Sequence, residues 1–301
     1  MATDLFREEL YPKIQLPRLI ALSENIVIRA SGICKSFGDN LVLNDISFHA
    51  KKGGVHGIVG ANGTGKSTFF KILLDLLDAD AGTIQMQKDH PKPIGGIIEK
   101  PSLYGYLSAA ENVMLFARMQ GISLTDAAID DKLIEVGLSP DRKDAVRNYS
   151  MGMKQRLGIA VAMLNSPNLL ILDEPFSGLD PIGIENLKRL LLKLTKENGV
   201  TLLVSSHILA HLFEISDELY LIRNKKLEPY EAAAPTGYTL IADNIADASS
   251  LLPEGSEVYM QRAVVAVSAK ELPELLGKLL EAGIHIRACI PMVNAQNWTE
   301  G

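Results

Sequence analysis

The chain has 301 residues, 47% of them hydrophobic and 22% charged, with a formal net charge of −6. That length supports one substantial α/β core plus a smaller unit. The acidic balance argues against an extended electrostatic footprint for DNA or RNA, so no nucleic-acid partner is expected. Two cysteines, Cys34 and Cys289, lie far apart and form no Cys-x-x-Cys or Cys/His cluster. That pattern points away from a disulfide framework or zinc site and fits a reducing cytoplasm.

The opening segment, MATDLFREELYPKIQLPRLIALSEN, mixes charges throughout and lacks the apolar core of a signal peptide, so residues 1–25 read as an extension without assigned chemistry. Apolar runs such as LIEVGL and RLLLKL fall far short of the ~20 residues that cross a bilayer, so a membrane role has to come through a partner. From Ile26 to about Ala50, two β-rich segments flank CKSFGDN, whose Gly38, Asp39 and Asn40 supply turn chemistry. An antiparallel β subdomain is expected there. The run VHGIVG then enters a glycine-rich loop, and KSTFFKILLDLL follows with apolar residues at helical spacing. Between Tyr104 and Asn165 three helical patterns separated by Gly and Pro breaks read as an inserted helical subdomain. NLLILDEP and VTLLVSSH read as buried parallel strands joined by a helix from Pro181 to a stop at Gly199. After Pro229 the linker EAAAPTG leads into a β-α-β-β-α-β pattern, a ferredoxin-like α+β unit. The expected division is an extension at 1–25, a main α/β domain at 26–229 and an accessory domain at 230–301.

Gly60 to Thr68, GANGTGKST, satisfies G-x-x-x-x-G-K-[ST] between a predicted strand and helix. Its glycines Gly60, Gly63 and Gly65, with Asn62, Thr64 and Thr68, let successive backbone N–H groups converge on phosphate oxygens. Lys66 neutralises those oxygens, and Ser67 offers a hydroxyl to Mg²⁺. Asp173 and Glu174 end the strand LLIL at the sheet edge where ligands of open α/β folds bind. Asp173 suits a Mg²⁺ shell and Glu174 a base that polarises water.

Over Ile26 to Leu227 these ordered motifs resemble the ATP-binding subunit of an ABC transporter, a P-loop ATPase with a parallel-sheet core. The resemblance implies ATP and Mg²⁺ as ligands. It also implies a homodimer or pseudo-dimer of ATPase subunits and an integral membrane partner that holds the chain at the inner face of the cell membrane. The family signature, usually LSGGQ, covers ATP held by the other subunit. Here YSMGMKQR occupies its place, with Ser150 and Gly152 matching and Met151, Met153 and Lys154 departing. Ser150 is a good N-cap in its own right. SGLD, Ser177 to Asp180, resembles the D-loop, and His207 resembles the switch histidine at the γ-phosphate. Phe37 resembles the aromatic that stacks on adenine. Glu99 stands where most members have a glutamine touching Mg²⁺, at the start of a loop facing the membrane subunit; a carboxylate there is a hard oxygen ligand for the cation. IIEKPSLYGYLSAAENV with YSMGMKQRLGIA is most similar to the bacitracin-resistance and lantibiotic-immunity exporters. An ATPase powering export is therefore expected. The alternatives are a soluble ABC-type ATPase that remodels a protein partner and a binding module that has lost catalysis, the last opposed by the presence of Lys66, Asp173, Glu174 and His207.

Overall fold

The computed structural model describes residues 25–87, 92–230, 237–268 and 271–292. The N-terminal extension before residue 25, linker residues 231–236 and the chain end from 293 lie outside the described residues.

Strand β1 (Ile26–Phe37) pairs antiparallel with β2 (Asn40–Lys51) across a turn in which Gly38 takes φ 57°, and with β4 (Ala81–Met86) on its other side. This three-stranded sheet is the expected antiparallel subdomain. The strands run into CKSFGDN further than the turn residues alone implied, because β1 continues through Phe37.

The central sheet has six strands in the order β5-β6-β7-β3-β8-β9. They are β3 (Val55–Val59), β5 (Ile94–Ile97), β6 (Leu169–Leu172), β7 (Thr201–Ser206), β8 (Glu218–Arg223) and β9 (Lys226–Pro229). The first five in space are parallel, and β9 closes one edge antiparallel to β8. Every residue of β3, β6 and β7 is buried, as continuous apolar runs covered on both faces require. Strand alternation divides them between two cores. Ile58, Leu169, Ile171 and Leu203 face helix α1 (Lys66–Leu73) and the antiparallel sheet, meeting Phe69, Phe70, Leu43 and Phe48. Val59, Leu170, Leu172, Leu202 and Val204 face the helices on the other side.

Those helices are α2 (Ala109–Met119), α3 (Asp126–Glu135), α4 (Met151–Ala162) and α5 (Pro181–Asn198), with the short α6 (Leu209–Phe213). Their ends are written in the sequence. Ser108 and Glu111 form a reciprocal capping box on α2, Thr125 caps α3 and Ser150 caps α4. Helix α5 has Asp180 as N-cap, Pro181 in its first turn and Gly199 at φ 68° as its stop.

The C-terminal segment builds a separate four-stranded antiparallel sheet, ordered β11-β12-β10-β13. Its elements are β10 (Gly237–Ala242), β11 (Glu257–Tyr259), β12 (Arg262–Val265), α7 (Leu272–Glu281) and β13 (Ile286–Met292). Leu240, Ala242, Val265, Leu275, Leu279 and Ile284 form its own apolar core. The strand order fits the ferredoxin-like expectation. The segment expected as its first helix is instead a kinked 3₁₀ turn, Ile245–Leu251, with Ala248 at φ −100° and ψ 16°. It has no side-chain N-cap bond, and Asp247, Ser249 and Ser250 compete with helical backbone bonds.

Candidate nucleotide-binding site

The loop Gly60–Gly65 joins β3 to α1 at the carboxyl edge of the parallel sheet. Gly65 takes φ 102°, and a Cβ at Gly60 would come within 2.6–2.8 Å of Ile222 and Thr64, so both positions need glycine. The Thr64 hydroxyl donates to Ala61 O (2.8 Å), which tightens the loop. Asn62 and Gly63 are exposed at its tip, and Thr68 is half-buried in the first turn of α1. That turn contains no acidic side chain, so the positive end of the helix faces the loop without a competing anion.

Lys66 is only 5% exposed. Its ammonium donates to Gly60 O (2.7 Å) and Ala61 O (3.0 Å) and lies 3.3 Å from a Glu174 carboxylate oxygen. The Ser67 hydroxyl donates to one oxygen of the buried Asp173 at 2.5 Å. The Ser205 hydroxyl donates to the other at 2.6 Å, and in turn accepts from Glu174 N at 2.8 Å. Glu174 stands at φ 48°, uncommon for a residue with a side chain, and its second carboxylate oxygen meets His207 Nδ1 at 2.8 Å. The Glu174 oxygen nearest Lys66 is buried without a well-aligned hydrogen bond, so their attraction is charge alone. Lys66, Ser67, Asp173, Glu174 and His207, from three separate stretches of sequence, are thus brought together.

Glu99 follows β5 by two residues and also takes a positive φ, 63°. It is 72% exposed, with Lys71 of α1 at 3.5 Å. It lines a cavity of about 220 Å³ together with Ser67, Gln155, Asp173, Glu174 and Ser177. Among the described residues no group of three or more His, Cys, Asp or Glu forms a metal cage. Mg²⁺ takes one or two protein oxygens and keeps waters and phosphate oxygens for the rest. Ser67, Asp173 and Glu99 are such oxygen donors.

Ser150 and Gly152 are not in that cluster. Ser150 caps α4 by accepting from Met153 N at 3.3 Å. With Gly152 it lines a second cavity of about 400 Å³, whose opposite wall is Gly178, Leu179 and Asp180 of the D-loop-like segment. Phe37 ends β1, 51% exposed, with the Lys35 ammonium 5.7 Å from its ring centroid. Sequence reasoning missed Ser205, which joins the two acidic residues, and Lys71, which pairs with Glu99. Ser205 was visible only as part of the SSH motif, and nothing local marks Lys71.

Residues 43–177 match the family described as ABC transporter. The chain is 39% identical over 199 residues to the bacitracin transport ATP-binding protein BcrA of Enterococcus faecalis, covering 64% of each chain. It is 40% identical over 206 residues to the lantibiotic transport ATP-binding protein SrtF of Streptococcus pyogenes, covering 67% of this chain and 89% of that one. Among solved structures it resembles cbiO1 from Clostridium perfringens, part of the ABC transporter complex cbiONQ, with a TM-score of 0.61 and 26% identity over 68% of this chain and 88% of that one.

Fold and site therefore define an ATP-binding P-loop protein of the α/β class. The chain belongs to the ABC transporter family, as an ATP-binding member. It spans just under two thirds of the length of the Enterococcus BcrA protein.

Proposed function

We propose that the chain hydrolyses Mg·ATP between two copies of itself, or of a close relative, and uses the cycle to drive export of a bacitracin- or lantibiotic-like peptide through a separate membrane subunit. The observation that carries this reading is the convergence of two groups, Ser67 with Asp173 and Lys66 with Glu174 and His207, joined through the Ser205 hydroxyl. Among the described residues no helix is long and apolar enough to cross a membrane; in this reading the transport path belongs to a partner at the membrane's inner face. Residues 26–229 form the ATP-binding domain and 230–301 an accessory one, preceded by the extension 1–25.

Backbone amides from Gly60 to Thr68 and the Lys66 ammonium hold the phosphates, while the exposed Phe37 ring offers a face for adenine. Ser67, Asp173 and Glu99 hold Mg²⁺, which supplies charge neutralisation on the phosphate oxygens. The Glu174 carboxylate accepts a proton from the attacking water, and His207, bonded to it, orients that carboxylate and donates to the γ-phosphate. Ser150 and Gly152, at the positive end of α4, complete the site of the second copy. Glu99 acts twice, as an oxygen ligand and as the start of the loop that reports nucleotide state to the membrane subunit.

The trans arrangement is tested by size-exclusion chromatography of Glu174→Gln with Mg·ATP and with Mg·ADP. The amide keeps the shape and removes the base, so ATP is expected to hold a dimer that ADP does not. A monomer with bound ATP would overturn the two-copy site. In cells carrying the chain with its membrane subunit, wild type is expected to raise bacitracin or lantibiotic resistance and Glu174→Gln is not. Equal resistance would contradict the coupling.

A further inference from the structure

Helix α6, which carries the chain away from His207, is five residues long. A helix of one and a half turns has too few internal hydrogen bonds to hold its own place. Its N-cap, Ile208, contributes no side-chain cap bond. What fixes it must be tertiary contact, and three side chains within eight residues provide it. His207 meets Glu174 at 2.8 Å. The His211 ring stands edge-on to Phe176 at 5.4 Å between centroids. Glu214, at the far end of the helix, receives a hydrogen bond from the Lys188 ammonium at 2.5 Å. Leu212, fully buried, anchors the opposite side in the core.

The partners of these three residues also belong together. Glu174 and Phe176 are two residues apart just after β6, immediately before the D-loop-like segment 177–180, and Lys188 lies two turns into the helix that segment starts. Lys188 is nearly buried, and its ammonium is shared between Glu214 and Glu185, at 2.5 and 3.0 Å. Burial works against its charge, and the bonds to Glu214 and Glu185 outweigh that, raising its pKa above the usual lysine value. A buried lysine whose ammonium joins α5 to the far end of α6 fixes the register of that short helix against its neighbour.

We propose that Lys188 and His211 are positioning residues for hydrolysis: they key α6 onto α5 and the segment after β6, and so set how His207 meets Glu174. This rests on the reading of Glu174 and His207 as the hydrolytic pair. Both residues act through His207 and touch no substrate. A loosened α6 lets the His207 ring drift, which misplaces the Glu174 carboxylate while leaving the phosphate loop intact. The effect belongs in turnover, not in nucleotide affinity.

The test is steady-state ATP hydrolysis and equilibrium ATP binding for full-length wild type, Lys188→Met, Lys188→Arg, His211→Ala and the exchanged pair Lys188→Glu/Glu214→Lys. Glu174→Gln serves as the reference for a lost base. Glu185 and Glu214 are more than half exposed, so Lys188→Met leaves them in water without stranding a buried charge, and the variant is expected to fold. Lys188→Met and His211→Ala are expected to lower kcat about tenfold, with KM and ATP affinity within about twofold of wild type. Lys188→Arg, and in part the exchanged pair, is expected to restore kcat. Wild-type kcat in both Lys188→Met and His211→Ala overturns the inference, as does a loss shared equally between affinity and turnover. If instead Glu174→Gln itself hydrolyses ATP like wild type, the hydrolytic assignment has failed rather than this one.

Discussion

Glu174 holds a backbone conformation that costs on the order of 1 kcal/mol for a residue with a side chain. The chain tolerates it because both ends of the residue are fixed. Its N–H donates to Ser205, and its carboxylate lies between Lys66 and His207. The bend turns the carboxylate away from Asp173, so adjacent acids serve different partners. By contrast, a residue whose position depends on neutrality is His56, 1% exposed on β3, with Nε2 accepting from Lys51 N at 3.0 Å and Nδ1 buried without a hydrogen bond. Burial lowers its pKa more than the Lys51 carbonyl, Glu218 and Asp217 raise it, and His49 adds to the lowering. The unfolded chain takes up a proton near pH 6.5 that the folded chain refuses. This contribution to stability is full above about pH 6.5 and is lost as pH falls toward the depressed folded value. Thermal unfolding at pH 7.5 and 5.5 is expected to show a larger drop in Tm for wild type than for His56→Gln. Equal drops would mean that His56 is not the group responsible.

At the scale of elements, the sequence announced several helix ends because caps are local. Ser150, Pro181 and Gly199 are legible that way, and Ser108, Thr125 and Asp180 prove to be caps that likewise act within four residues of themselves. The phosphate loop was legible for the same reason, since one strand, one turn and one helix contain it. The link from Ser205 to Asp173 was not, because it depends on the pairing of β6 with β7, with Leu172 opposite Val204, across 32 residues of sequence. The expected helix at 245–251 became a 3₁₀ turn because its apolar spacing suited a helix while its short polar side chains did not. Two caps now separate structural from functional roles. Ser150→Ala and Ser108→Ala each remove an N-cap hydroxyl and are each expected to cost about 1 kcal/mol of stability. Only Ser150→Ala, at the cavity shared with the D-loop-like segment, is expected also to weaken ATP-dependent dimerisation in the Glu174→Gln background. Chemical denaturation and size-exclusion chromatography measure the two effects. If both variants dimerise alike, Ser150 is a cap and nothing more.

At the scale of the molecule, the parallel sheet divides two apolar cores, and the site lies where its strands end. The P-loop grows from one side of that sheet, through α1. The helices that carry Ser150, Lys188 and His211 pack on the other side. The phosphate loop and the helices that carry Ser150, Lys188 and His211 are thereby placed on different cores. The proposed hydrolysis depends on Glu174 as the base. The most direct measurement is steady-state hydrolysis by wild type and Glu174→Gln at saturating Mg·ATP, with ATP affinity measured in parallel. Glu174→Gln is expected to bind ATP within a few-fold of wild type and to turn it over about 10²–10⁴ times more slowly. Turnover at the wild-type rate would contradict the account.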